Sequence, residues 1–135
     1  MKKELILISS LVIAAVTVGV AAWATFNTEP DRSMRRVQQM ILVVAEAKYD
    51  VCGKSLSRAQ RDECEDELLK YRIALGTIWN ATLQKYRTAC DNPKPEQPCV
   101  RQTVGNLSNM FVSDEHARKL DELAPQIRES INRYK

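Results

Sequence analysis

Apolar residues recur at steps of three and four along most of the chain, which is the spacing of one face of an α-helix. The first periodic stretch is preceded by Thr28 to Asp31, which supply the hydroxyl, acidic and proline residues of a helix start. We expect this helix to run to about Val51 and to end at Cys52 and Gly53. Its broad apolar face consists of Met34, Val37, Met40, Ile41, Val43, Val44, Ala47 and Val51. A face this broad must be covered on more than one side.

The longest periodic stretch predicts a second helix from Arg58 to about Ala89, opened by a capping-box variant at Ser57. Its stripe consists of Cys64, Leu68, Tyr71, Leu75, Ile78, Thr82 and Tyr86. Gly76 is the weak point of this helix. The proline-rich segment 91–98 follows and predicts a loop.

Two shorter periodic stretches complete the pattern. Val100, Val104, Leu107 and Phe111 predict a third helix, and Ser113 is expected to cap a fourth. The stripe of the fourth consists of Ala117, Leu120, Ala124, Ile127, Ile131 and Tyr134. Pro125 is expected to kink this helix or to split it. The sequence therefore predicts an all-α fold, a small antiparallel bundle of three to four helices.

The four cysteines indicate how the helices are joined. An even number in a small exported domain is most simply read as two disulfides, and the spacing does not match a zinc finger. On a continuous second helix Cys64 and Cys90 lie about 39 Å apart, whereas a disulfide requires Cα atoms within about 7 Å. A short loop returns Cys52 beside Cys64, and the proline-rich loop returns Cys99 beside Cys90. We therefore predict Cys52–Cys64 and Cys90–Cys99.

The start of the chain has the features of an export signal. Residues 5–26 contain no ionisable side chain, and Ala22 and Ala24 form a small-x-small cleavage signal. Cleavage after Ala24 would define a signal peptide, 1–24, ahead of a helical domain, 28–135. The alternative is an uncleaved transmembrane anchor over 5–26, because this length reaches about 33 Å. Both interpretations export the domain, and the bacterial periplasm fits it best.

Composition, charge and motif content argue against several classes of function. A chain of 135 residues that is 44% hydrophobic and 27% charged is one small domain. Its formal net charge of +3 does not suggest a nucleic-acid partner, because phosphate recognition normally shows a clustered basic excess. No phosphate loop, nucleophile elbow or zinc-protease motif is present. We therefore assign no catalytic residue, cofactor or metal.

The single histidine, His116, is expected in the first turn of the fourth helix, where the helix dipole disfavours a protonated imidazole. We interpret it as a solvated surface residue.

An acidic run at the start of the second helix is the strongest candidate for partner binding, as a docking patch for a basic protein. It also suits the positive end of the helix dipole, where it would be largely solvated. With it we group the exposed loop 91–98, because loops on rigid elements often carry recognition. The predicted partner-binding residues are Asp62, Glu63, Glu65, Asp66, Glu67, Lys94 and Glu96.

The cysteine pattern also resembles a known family. The residues that carry the likeness are Cys52, Cys64, the stretch Tyr86-Arg87-Thr88-Ala89-Cys90 and the pair Cys99-Val100. In their order and spacing, residues 52–107 resemble the LprI-like family of exported lysozyme inhibitors. The resemblance implies a periplasmic helical inhibitor that binds a muramidase, and it assigns no residue to a defined role.

The sequence leads us to expect a non-enzymatic binding protein of the cell envelope. Such a protein would be an inhibitor, immunity or exclusion factor that acts on another protein, for example a lysozyme-type muramidase. A disulfide-stapled bundle is rigid, which lowers the entropic cost of binding. The alternative is a membrane-anchored accessory subunit of an envelope complex. That subunit would use the N-terminal segment at the inner membrane and the apolar face of helix 34–51 against partner helices.

Overall fold

The longest element, helix α2 (Arg58–Asp91), determines the length of the molecule. The structure is a computed structural model that describes residues 31–54, 56–101 and 103–135. At the start of α2 the Gln60 N–H donates to the Ser57 hydroxyl at 3.3 Å, and the Gln60 carboxamide accepts from the Ser57 N–H at 3.1 Å. The predicted capping box and the unbroken passage through Gly76 are both confirmed.

Helix α1 (Met34–Asp50) begins later than the sequence pattern predicts. The predicted start near Thr28 is wrong as far as the described residues show, because Asp31 lies outside the helix. The Asp31 carboxylate accepts hydrogen bonds from the Ser33 N–H and hydroxyl, each at 2.7 Å. The Met34 N–H donates to the Met110 carbonyl at 2.6 Å. These bonds hold the approach to α1 in an extended conformation, with Ser33 as the N-cap.

Both predicted disulfides are present. Cys52 and Cys64 have Cα atoms 5.6 Å apart and are fully buried between α1 and α2. Cys90 and Cys99 have Cα atoms 4.6 Å apart and close the proline-rich loop. Gly53 lies in the turn after α1, where a Cβ atom would come within 2.5 Å of the Tyr49 carbonyl oxygen. Two disulfides indicate an oxidising, extracytoplasmic environment.

The predicted third α-helix is a shorter element. Among the described residues between the loop and Ser113, the helical element is a six-residue 3-10 helix, Val104–Asn109, and Val100 lies before it. The Asn106 side chain donates to the Arg101 carbonyl at 3.1 Å, a local bond that competes with α-helical pairing. Phe111, predicted on the apolar face of this helix, is instead 54% exposed in an extended segment.

Helix α3 (Asp114–Tyr134) is a single element that runs through Pro125. The predicted cap is confirmed, because the His116 N–H donates to the Ser113 hydroxyl at 3.2 Å. The expected alternative of a split at Pro125 is wrong. Buried residues on both sides of the proline, Ala124 and Ile127 among them, pack into the same core and hold the two halves together.

The core lies between the inner faces of the three α-helices and the 3-10 helix. Its largest fully buried side chains are Met34, Met40, Leu75, Met110, Leu120 and Ile127. Helix α3 covers one side of the α1–α2 pair, where the guanidinium of the buried Arg36 donates to Asp121 at 2.6 Å. All-α architecture with two loop-closing disulfides is thus confirmed for the described residues.

Within the described ranges, no helix is long and apolar enough to cross a membrane. The predicted signal peptide, 1–24, and the alternative anchor, 5–26, lie outside the described residues. Cleavage after Ala24 stays a prediction.

Candidate binding surface

Glu67, one of the predicted partner-binding residues, points toward α3. Its carboxylate accepts hydrogen bonds from the Ser130 hydroxyl at 2.6 Å, the Tyr134 hydroxyl at 3.0 Å and the Arg133 guanidinium at 3.1 Å. The Ser130 bond is the largest cause that lowers the pKa of Glu67 below 4.5, and partial burial opposes it. Burial and the bond to Glu67 raise the pKa of Tyr134. Glu67 therefore links α2 to α3 through hydrogen bonds.

The other residues of the predicted surface fall into two groups at opposite ends of α2. Asp62, Glu63 and Asp66 are exposed near the start of the helix, and Glu65 is half-buried there. Lys94 and Glu96 are exposed in the loop that follows the far end, where a tight turn has the Gln97 N–H donating to the Lys94 carbonyl. At 1.5 Å per residue the two groups are separated by about 40 Å. The structure does not bring them into one surface.

An apolar surface lies along the seam between α1 and α2, and we call it the open face. Two shallow grooves run along it, share Ile41 and Arg72, and are lined by residues of α1 and α2 alone. Three exposed apolar side chains line the grooves: Leu42 (53% exposed), Tyr49 (75%) and Leu69 (49%). Ile73 (61% exposed) lies outside the grooves, one helical turn from Leu69. Large apolar side chains grouped on one face mark interaction sites more often than scattered ones do.

Four charged side chains border the grooves of the open face. Glu65 and Asp66 come from the acidic run, so part of the predicted surface adjoins the apolar one. Lys48 and Arg72 carry the opposite charge. The border therefore has two positive and two negative groups and no net charge.

Sequence reasoning missed the four exposed apolar residues, although the chain contains a signal for them. Leu42 and Tyr49 are seven residues apart on α1, and Leu69 and Ile73 are four apart on α2. Both spacings return to one side of a helix. None of these residues belongs to the predicted core stripes, so each helix has a second apolar stripe that the first one does not explain.

His116 lies in a different groove, between α2 and α3. It is half-buried, and its neighbours include the charged residues Glu115, Lys119 and Glu122. The described residues contain no group of three or more side chains placed to hold a metal ion.

Comparison of the chain with protein-family models, with curated proteins and with solved structures finds no match.

Proposed function

We propose that this protein is a non-enzymatic binding protein of the bacterial periplasm that docks another protein through the open face. The observation that carries the proposal is the exposure of Leu42, Tyr49 and Leu69 along the grooves between α1 and α2. Water contact with grouped apolar side chains is unfavourable, and a partner that covers them gains their burial energy.

The open face is built on a rigid support. The disulfide between Cys52 and Cys64 ties α1 to α2 at one end of the face, and α2 continues unbroken beneath it. Helical surfaces held in this way lose little conformational entropy when a partner binds. Rigidity of this kind suits an inhibitor, immunity or exclusion factor, which must block its target without being remodelled.

A cationic muramidase is the partner class we propose first. Asp62 adds an acidic side chain to those of Glu65 and Asp66 at one end of the face, and acidic side chains steer an oppositely charged partner. The LprI-like resemblance leads to the same class. Glu67 is not part of this surface, because its carboxylate is bonded to α3.

The test is an assay of cell-wall lysis by a cationic muramidase with and without the protein. We expect inhibition that Leu42→Ser with Leu69→Ser weakens roughly 10- to 100-fold, because two apolar contacts are lost. Phe111→Ser is the matched control, since Phe111 is similarly exposed but lies outside the open face. Charge reversal of Asp62 and Asp66 should slow association, most strongly at low salt. Absence of inhibition at micromolar protein would remove the muramidase from the proposal.

An anchored accessory subunit of an envelope complex is the second candidate. The observation that favours it is that α1 itself contributes Leu42 and Tyr49 to the open face. A retained segment 5–26 would hold that face near other membrane subunits. Membrane association that resists carbonate extraction, with the leader still attached, would support the subunit. A soluble form beginning at Thr25 would support the periplasmic binding protein.

A further inference from the structure

The charge pattern of the open face points to a particular occupant. Lys48 and Arg72 oppose Glu65 and Asp66 on the same small surface. A partner surface of one charge sign would complement only half of this border. A second copy of the same surface has both positive and negative groups. When a two-fold axis relates the two copies, the positive groups of one copy can lie near the negative groups of the other.

The arrangement of the helices leads to the same occupant. Helices α1 and α2 are joined by a short disulfide-closed turn, and they form one antiparallel pair whose open side is apolar. A second pair placed on that side by a two-fold axis completes a four-helix bundle. Bundles of this kind bury apolar faces of neighbouring antiparallel helices. Helix α3 does not obstruct this, because it contributes no residue to the lining of the grooves.

We infer that the free protein is a homodimer in which the open faces of two copies pack against each other. The inference goes beyond the proposed function, since it concerns the protein without its partner. Residues from Glu65 to Trp79 extend about 21 Å along α2, and two helices of about 10 Å diameter give a projected face of roughly 400 Å². A stable interface buries about 800 Å² on each partner, so a face of roughly half this size suits a weak, reversible dimer. Partner docking and self-association would then compete for one surface.

The first arm of the test measures association of the pure exported protein by analytical ultracentrifugation across the micromolar range. We expect a concentration-dependent dimer. Leu69→Glu should raise its dissociation constant roughly 10- to 100-fold, because each dimer loses two apolar contacts and gains two like charges. Phe111→Ser should leave the dissociation constant unchanged. Circular dichroism confirms that each variant retains its helical content.

The second arm exchanges charges between copies. Lys48→Glu changes the border from neutral to a net charge of −2, and Glu65→Lys changes it to +2, as the four border charges require. Each variant alone should associate more weakly than the wild-type protein, because its two copies repel. An equimolar mixture should recover association through a heterodimer with opposite faces.

Three results would overturn the dimer. These are a wild-type protein that stays monomeric throughout the range, a mixture that associates no better than either charge variant alone, and a Phe111→Ser variant as disruptive as Leu69→Glu. A monomeric wild type leaves the docking proposal to be decided by the muramidase assay. Failure of the muramidase assay does not contradict the dimer, since the ultracentrifugation experiment contains no partner.

Discussion

Replacement of Glu67 by Gln tests how α3 is fastened to α2. The substitution preserves side-chain shape and removes the charge that accepts hydrogen bonds from Ser130, Tyr134 and Arg133. Ser130 is fully buried, and a hydrogen bond to an ionised group contributes about 1.5–3 kcal/mol. Because Gln keeps one acceptor oxygen, we expect the free energy of unfolding to fall by only part of this contribution, about 1–2 kcal/mol. In a domain of this size that lowers Tm by roughly 4–8 °C.

The lowered pKa of Glu67 determines how the stability difference between the two proteins changes with pH. The pKa of Glu67 is lowered in the folded protein relative to its ordinary value of 4.5. The ionised carboxylate therefore stabilises the folded state fully above about pH 4.5, and this stabilisation is lost as the pH falls through the folded pKa. The wild-type protein should be more stable than Glu67→Gln at neutral pH, and the difference should shrink in acid.

Urea unfolding followed by circular dichroism, at pH values from about 7 down to about 3, measures the difference directly. Glu63→Gln is the matched control, because Glu63 is an exposed carboxylate one turn earlier on the same helix. We expect Glu63→Gln to change the free energy of unfolding by less than about 0.5 kcal/mol. A Glu67→Gln difference that stays constant with pH, or grows in acid, would refute the reasoning.

Three further substitutions test other parts of the fold by urea or thermal unfolding. Cys90→Ala with Cys99→Ala should destabilise the protein by about 3 kcal/mol, since the bridge closes a loop of about ten residues; no loss of stability would contradict this. Asp121→Ala should cost about 2 kcal/mol, because it leaves the buried Arg36 guanidinium without its carboxylate partner, and a neutral effect would count against that contact. Gly76→Ala should stabilise the protein by about 0.5–1 kcal/mol, since a Cβ there meets no atom within 4 Å, whereas destabilisation would show hidden crowding.

Features determined by local geometry could be predicted from the sequence. Helix α2 follows from its periodic stripe and its Ser57 cap, and its length then excludes a bridge between Cys64 and Cys90. Both disulfides follow once the two connecting loops are considered, because these bring Cys52 beside Cys64 and Cys99 beside Cys90.

Features that depend on distant partners could not be predicted in the same way. The start of α1 is determined partly by the bond from Met34 to the Met110 carbonyl, far along the chain. Glu67 has the sequence context of a solvated acidic patch, because nothing near it in sequence reveals Ser130, 63 residues away. Pro125 lies within α3 because core packing outweighs its intrinsic cost to a helix. The open face is different, since the helical spacing of its apolar residues is present in the sequence of α1 and of α2.

The central claim is that the open face is covered by protein in the cell. A photo-cross-linking amino acid placed at Tyr49, which is 75% exposed, tests it in living cells. The same amino acid at Phe111, 54% exposed and outside the open face, is the control. We expect a protein adduct at position 49, with either a second copy or another envelope protein, and none at position 111. No adduct at position 49, or equal adducts at both positions, would contradict it.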